Sequence, residues 1–535
     1  MKELLLLGAE AIAQGAIDGG MSGVYAYPGT PSTEITEYVQ DSELAQTKNI
    51  HSQWSANEKT AMEAALGMSY SGKRAMVCMK HVGLNVAADA FMNSAITGIN
   101  GGLLITVADD PSMHSSQNEQ DSRYYGKFAQ IPILEPSNQQ EAYDMAYFGF
   151  RLSEELEVPV MLRITTRLSH SRSGIVRKEE IPTNELSLPK DLKQFILLPS
   201  LAKKRYKKLV EARPKFEESS ARSQYNRFFD APDKKLGIIA CGITYNYLME
   251  NYPGGCEYPV MKICQYPMPR NRISEFEELV DELLVLEEGY PMIEELLAGY
   301  FRKGKKVHGR LDGTLPRMGE LNPDLVGKAL GFDVPEIEDV PEIVVGRPPS
   351  LCVGCGHRDA YSALNVAIEQ YGDGHVFADI GCYTLGALPP YEAINSCVDM
   401  GASITMAKGA ADAGLHPAVA VIGDSTFTHS GMTGLLDAVS ENTNITIIIS
   451  DNLTTAMTGG QHSAAENRLE NICEGIGVNP KHIRVIVPHR KNHDLMVEMM
   501  KEEFEYPGVS VIIPRRECIQ TLARKKRNKV ASKRV

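Results

Sequence analysis

The sequence predicts an α/β protein built from several open, largely parallel sheets, each wound on both faces by helices. Short apolar runs such as Ala418 to Ile422 and Ile445 to Ser450 alternate with helix-length stretches along the whole chain. The runs stop at acids or glycines beside small residues, which is how strands of parallel sheets deliver ligand-facing turns. At 535 residues, with 43% apolar and 23% charged, the chain is globular and too long for one core, so about three domains are expected.

Residues 1–185 form the first predicted domain. MKELLLLGAEAIAQG reads as a strand and a helix; it lacks the cleavage-type end of a signal peptide. In GVYAYPGTPSTEI, a strand runs into the Pro28-Gly29 turn, and Thr30 or Ser32 is placed to cap the next helix. HSQWSANEKTAMEAALG has helical periodicity at Ala61, Ala64, Ala65 and Met68. Glu58 lies in its first turn, where it suits a helix-dipole partner as well as a catalyst. GMSYSGKR resembles a phosphate loop, but it closes a helix instead of opening one and has Arg74 after the lysine, so that reading is rejected. KHVGLNVAAD carries the small residues of a helix packed near a ligand. GGLLITVADD is a strand ending at Asp109-Asp110, and the polar loop beyond it is a substrate-surface candidate. Arg123 in that loop suits a bidentate grip on a carboxylate, or simple solvation.

Residues 186–232 are basic and helical, with no strand signal, and read as a connector. Residues 233–345 form a second α/β domain: LGIIACG, YPVMKIC and ELLVLEEG are strands and ITYNYLMEN is a helix, with no acid–base constellation. A proline-rich boundary near residue 349 closes it.

Residues 346–514 form the third. CVGCGHR is not a c-type haem site, because Gly356 separates Cys355 from His357. Zinc remains open, but the small residues leading into a helix favour an anion-binding turn. HVFADIGCYTLG ends a strand at Asp379, before Gly381 and Cys382. The most informative stretch runs from AVAVIGDSTF to IIISDNLTTAMTGGQ. It reads as strand–helix–strand, with a helix between Gly431 and Asn442, and brings Asp424 and Asn452 to one sheet edge. One carboxylate, one amide oxygen and a backbone carbonyl make a hard oxygen site suited to Mg²⁺ that also holds a phosphate. The alternative is an ordinary βαβ unit with a polar strand end. Residues 515–535 end in a basic run, expected to be a solvated tail or a dock for an acidic partner.

The net charge of −13 argues against nucleic acid as a partner. No apolar run reaches the ~20 residues that span a bilayer, so no membrane role and a cytoplasmic location are expected. The ten cysteines are scattered, which disfavours a disulfide framework.

Taken together, YPGTPSTEI, WSANEKTAMEAALG, KHVGLNVAAD, DDPSMHSSQNEQDSRYY, CVGCGHR, DIGCYTLG, DMGAS and the GDS…DN pair resemble the α-type subunit of indolepyruvate ferredoxin oxidoreductase. This belongs to the thiamine-diphosphate-dependent 2-oxoacid:ferredoxin oxidoreductases, and the likeness runs from about residue 3 to residue 518. It implies two thiamine diphosphate-binding folds, pyrimidine-binding first and diphosphate-binding last, around a transketolase C-terminal-like domain. The two binding domains would form the cofactor cleft. It implies that Glu58 bonds the pyrimidine N1′, and that Thr30 and Arg123 hold the 2-oxoacid carboxylate. Asp424, Asn452 and the Thr454 carbonyl would bind Mg²⁺. His357, with the Cys355-Gly356 turn, would contact the diphosphate, and Cys382 would sit near the thiazolium. Gly381, Gly423 and Ser425 complete the cofactor set.

The implied reaction is oxidative decarboxylation of an aryl 2-oxoacid to an acyl-coenzyme A. The implied partners are a smaller β-type subunit and ferredoxin or another electron carrier, in a homodimer or heterotetramer. Ser425 departs from the family's GDG. No repeated C-x-x-C-x-x-C run is present, so an iron–sulfur cluster is not expected on this chain. That departure leaves a non-oxidative decarboxylase or a carboligase as the alternative, and a cofactor-free scaffold subunit as a third class.

Overall fold

The computed structural model describes residues 3–191, 193–299, 304–335, 341, 343–346 and 349–531. The chain resolves into two compact units, Met1–Glu338 and Asp339–Val535.

In the first unit the apolar runs become a seven-stranded sheet. Its order is Gln265–Tyr266, Ile133–Leu134, Val160–Thr165, Leu103–Asp109, Ala75–Lys80, Gly23–Ala26, His51–Trp54. Every pairing is parallel except the first, which is antiparallel. The three central strands Ala75–Lys80, Leu103–Asp109 and Val160–Thr165 are buried at every position, as continuous apolar runs in a two-sided sheet require. After Gly23–Ala26 the chain moves to one side, and after Ala75–Lys80 to the other. The topological switch point therefore lies between these two strands, outside Tyr27–Thr30 and Lys80–His81. Helix Gly8–Asp18 packs on helix Gln139–Leu156 so closely that a Cβ on Gly15 would lie 2.2 Å from the Tyr143 carbonyl oxygen. Strand Glu3–Leu7 stays out of the main sheet and pairs antiparallel with Arg172–Val176.

A five-stranded sheet follows, ordered Val307–His308, Glu282–Leu286, Leu236–Cys241, Val260–Ile263, Arg227–Phe229. The basic connector is the helix Pro199–Ala221, as its composition predicts. Its last residues supply an unforeseen edge strand: Arg227–Phe229 pairs antiparallel with Val260–Lys262. All three side chains of that strand are exposed, so it carries no alternation to read and is set by pairing alone. Asn226 fixes the turn, accepting from the Cys264 and Gln265 amides and donating to the Ser220 and Gln265 carbonyls. Because Gln265–Tyr266 then joins the first sheet, the expected domains 1–185 and 233–345 share one compact unit.

A buried ionic cluster joins the ends of both sheets. Arg163 bonds Asp109 at 2.7 Å, the Glu135 carboxylate and the Glu288 carbonyl. Arg123 donates to Asp121 and to the carbonyls of Glu288 and Tyr290, and forms an ion pair with the Glu287 carboxylate at 2.9 Å. Glu288 is the poorly matched member. Its Oε2 has no hydrogen-bond partner, Arg310 is 3.7 Å away, and burial pushes its carboxyl from 4.5 up to about 8. The folded state therefore holds this proton more tightly than the unfolded chain. The stabilisation is complete below the ordinary carboxyl range and is lost as pH rises through about 8. Glu288→Gln is expected to flatten that alkaline fall of the melting temperature, measured by calorimetry across this range; an unchanged slope would refute the assignment.

The second unit is a six-stranded, wholly parallel sheet. Its order is Ser396–Cys397, Val376–Ala378, Ala418–Gly423, Ile445–Ser450, Val509–Pro514, Ile483–Ile486. Its switch point falls between Val376–Ala378 and Ala418–Gly423, so the turns after Ala378 and Gly423 flank the crevice. The terminal basic stretch is helical, and its residues 523–527 are exposed. Ile519–Ala531 is a helix, rich in good helix formers and tied down by Arg524 to the Gly459 carbonyl and by Lys525 to Glu517.

Candidate active site

In the second unit, Asp424 follows strand Ala418–Gly423 directly and opens a helical turn, Asp424–Thr426. A wide turn over Phe427–Gly431 leads to helix Met432–Ser440, so the helical path starts earlier than the expected Gly431. Asp424 is 2% exposed and its Oδ2 has no hydrogen-bond partner. Burial first, and the neighbouring Asp451 second, push its carboxyl up to about 7; the Ser425 and Thr454 amides and the Ser463 hydroxyl oppose this. The Thr454 amide also donates to Asn452 Oδ1 at 3.1 Å, so one N–H ties Asp424 to Asn452. Leu453, at φ 61°, makes the sharp turn that allows it. The structure thus brings Asp424, Asn452 and Thr454 together. A buried carboxylate oxygen without a donor, beside an amide oxygen, is a fitting seat for a hard divalent cation. Ser425 bonds Thr455 through its hydroxyl at 2.8 Å. Gly423 faces the Tyr383 ring, which a Cβ would approach to 2.6 Å.

Asp379 is structural in this geometry. It accepts from Tyr383, from the Gly401 and Ser403 amides and from the Ser403 hydroxyl, which holds the DMGAS turn at its strand end. The Gly381 amide is bonded by the Thr384 hydroxyl.

A cavity of about 150 Å³ in the same unit is lined by Cys355, Gly356, His357, Cys382 and Asn452. His357 sits in the first turn of helix Gly356–Ile368, and burial lowers it to about 4, so it meets a ligand as a neutral imidazole. The cavity is also lined by Cys352, the first cysteine of the C-x-x-C pair, and by Cys518, to which sequence reasoning gave no role. Each of Cys355 and Cys382 is raised first by burial and then by the other thiols of this quartet; Cys382 reaches about 12. No three His, Cys, Asp or Glu residues among the described residues are placed to hold a single metal ion. Four thiols, those of Cys352, Cys355, Cys382 and Cys518, line this one cavity. The usable signal was the C-x-x-C pair together with a cysteine at a strand end, not a contiguous run.

In the first unit, Thr30 and Glu58 follow the neighbouring parallel strands Gly23–Ala26 and His51–Trp54. The YPGT turn is fixed by Thr33, whose hydroxyl accepts from the Gly29 amide, and by Ser32 donating to the Gly29 carbonyl. Neither Thr30 nor Ser32 caps the helix Thr33–Asp41 through its side chain. Glu58 is the first residue of helix Glu58–Tyr70, capped by Asn57, and is 5% exposed. Gly83 of KHVGLN makes room for it: a Cβ there would lie 2.5 Å from Glu58 Oε1. Arg123 is not part of this group. Its guanidinium is fully buried and committed to Asp121, Glu287 and two carbonyls, so the expected grip on a substrate carboxylate is withdrawn for this residue.

Residues 14–225 match the family model for pyruvate flavodoxin/ferredoxin oxidoreductase, thiamine diphosphate-binding. Residues 379–513 match the thiamine pyrophosphate enzyme C-terminal binding domain. The chain is 39% identical to indolepyruvate oxidoreductase subunit IorA of Methanothermobacter thermautotrophicus, over 97% of this chain and 87% of that one. It is 38% identical to the subunit of the same name from Archaeoglobus fulgidus, over 100% of this chain and 90% of that one. Among solved structures, a 2-oxoglutarate:ferredoxin oxidoreductase from Magnetococcus marinus superposes with a TM-score of 0.51 at 16% identity. It covers 62% of this chain and 65% of that one, a likeness of fold.

Proposed function

Because the chain belongs to the thiamine-diphosphate-dependent 2-oxoacid:ferredoxin oxidoreductases, as an α-type subunit of the indolepyruvate oxidoreductase kind, we propose that it carries out the Mg²⁺-dependent oxidative decarboxylation of aryl 2-oxoacids to acyl-coenzyme A. The observation that carries this reading is the buried Asp424 carboxylate with one donor-free oxygen, tied to Asn452 through the Thr454 amide.

Thiamine diphosphate, when bound, supplies the nucleophilic carbon and the electron sink for decarboxylation. Glu58 would hold a proton against the pyrimidine N1′, from a pocket too dry for water to take its place. Asp424, Asn452 and the Thr454 carbonyl would hold Mg²⁺. His357 and the Cys355-Gly356 turn would contact the diphosphate, next to Gly381, Gly423 and Ser425. Cys382 would lie near the thiazolium, and Thr30 would orient the substrate carboxylate. Against the expectation of a chain without a cluster stand the four cysteines that line the cavity, which are the residues that would hold an iron–sulfur cluster able to take electrons singly; the iron and sulfide count decides between the two. A smaller β-type subunit, ferredoxin or another carrier, and coenzyme A complete the system.

The test is anaerobic turnover of phenylpyruvate by the purified chain, with and without its partner subunit, in the presence of thiamine diphosphate, Mg²⁺, coenzyme A and a viologen dye. Iron and acid-labile sulfide are counted on the same preparation. Coenzyme A-dependent dye reduction is the expected result. Carbon dioxide and free aldehyde without dye reduction would make the chain a non-oxidative decarboxylase, or a carboligase if a second carbonyl is consumed. Asp424→Asn is expected to weaken Mg²⁺-dependent cofactor binding by at least about tenfold to a hundredfold in calorimetric titration. Unchanged affinity would remove Asp424 from the cation site.

A further inference from the structure

Resting on the oxidoreductase reading above, we propose that Lys80 supplies the positive charge that receives the carboxylate of the 2-oxoacid. The withdrawal of Arg123 leaves that anion without a cation, and the geometry of the first unit provides one. Lys80 is the last residue of strand Ala75–Lys80, beside the switch point where open parallel sheets bind ligands. Its stem lies on the YPGT turn: a Cβ on Gly29 would meet Lys80 Cγ and Cδ at 3.3 Å. Its ammonium donates to the Ser115 carbonyl at 3.0 Å, and the Ser115 hydroxyl donates to the Thr30 carbonyl at 3.1 Å. Lys80, Ser115 and Thr30 are therefore one hydrogen-bonded group.

The ammonium is 9% exposed as a residue, yet no carboxylate among the described residues pairs with it, and Ser115 takes one of its three N–H donors. Asp110, the acid that acts most strongly on its charge, is already satisfied by the Ser115 amide and the hydroxyls of Ser115, Ser116 and Thr166. Glu58, the other acid acting on it, faces the cofactor in the proposed site. Burial lowers the Lys80 ammonium from its ordinary value, as expected for a cation awaiting its counter-ion. An incoming carboxylate answers that deficit, while a neutral ligand does not. The neighbouring His81 is bonded to the Asn118 carbonyl and is lowered by burial, so it adds no competing charge. The simpler role, in which Lys80 only orders the loop through Ser115, makes a different kinetic prediction.

The experiment uses the assembled complex with thiamine diphosphate and Mg²⁺, comparing Lys80→Met, Lys80→Gln and Lys80→Arg. KM and kcat for phenylpyruvate are measured, along with inhibition constants for phenylpropionate, a carboxylate without the keto group, and for the corresponding neutral alcohol. The expected result for Lys80→Met and Lys80→Gln is a KM and a phenylpropionate Ki raised about 30-fold, the alcohol Ki and cofactor affinity held, and most of the loss restored by Lys80→Arg. Unchanged KM and phenylpropionate Ki would overturn the proposal while wild-type turnover upholds the oxidoreductase reading. Loss of cofactor affinity in both neutral variants would make Lys80 structural and overturn it as well. A wild-type complex that turns over no 2-oxoacid would overturn the parent reading and the proposal with it.

Discussion

Glu58→Ala is expected to lower 2-oxoacid turnover by about two to four orders of magnitude while the chain stays folded. The Glu58 carboxyl is proposed to act on the pyrimidine ring of the cofactor. It is buried at a helix N-terminus whose capping is already done by Asn57, so the helix does not need it for its own amides. Gly83 is shaped around it, since any side chain there would strike the carboxylate. In the proposed role this acid would meet a ligand nitrogen from a buried position. Glu58→Gln is the matched control: it keeps the volume and loses the carboxylic acid, and is expected to fall nearly as far as Glu58→Ala. Circular dichroism and cofactor affinity on the same samples separate lost chemistry from lost fold. Unchanged turnover in the assembled complex would instead make the chain a scaffold subunit, with the reacting cofactor held elsewhere.

What the sequence made legible depended on how locally each feature is encoded. Ala418–Gly423 and Ile445–Ser450 are apolar runs that any parallel sheet must bury, so both strands and the acid and amide after them could be read directly. Glu58 was legible through its motif. Arg123 was misjudged because its fate is set by Glu287 and by the Glu288 and Tyr290 carbonyls, which lie in another part of the chain; nothing near residue 123 announces them. The shared cavity was missed for the same reason: the Cys352–Cys355 pair, Cys382 and Cys518 are distant in sequence and line one cavity only when the turn after Ala378 and the stretch after Pro514 reach it. Arg227–Phe229 and the terminal helix have weak local patterns and are decided by pairing and packing. Lys80 headed a stretch read as a helix near a ligand, whereas it ends strand Ala75–Lys80. Its significance appears once the strand order places it at the switch point.

Arg163→Met is expected to destabilise the unit Met1–Glu338 by about 3–5 kcal/mol. Arg163 is fully buried and shares its guanidinium among Asp109, Glu135 and the Glu288 carbonyl, with Asp121 at 3.8 Å. Its opposite charges hold it ionised against desolvation, while burial drives Asp109 up from the ordinary carboxylate range. Removing the cation leaves Asp109, Asp121 and Glu135 facing one another in a dry interior, with Arg123 pulled by more acids than it can pair. The loss is a large part of the ~5–15 kcal/mol that typically separates folded from unfolded domains. The protein carries its own reporter for this, because its single tryptophan, Trp54, lies on the edge strand of the same sheet. Tryptophan fluorescence in urea therefore follows this unit, and its midpoint is expected to fall sharply in the variant. A shift worth under ~1 kcal/mol would mean that the acids reprotonate and repack without the arginine. The contrast with Glu288→Gln sharpens the test: removing the central cation and neutralising the mismatched acid should move stability in opposite directions at alkaline pH if this cluster joins the two sheets of the unit.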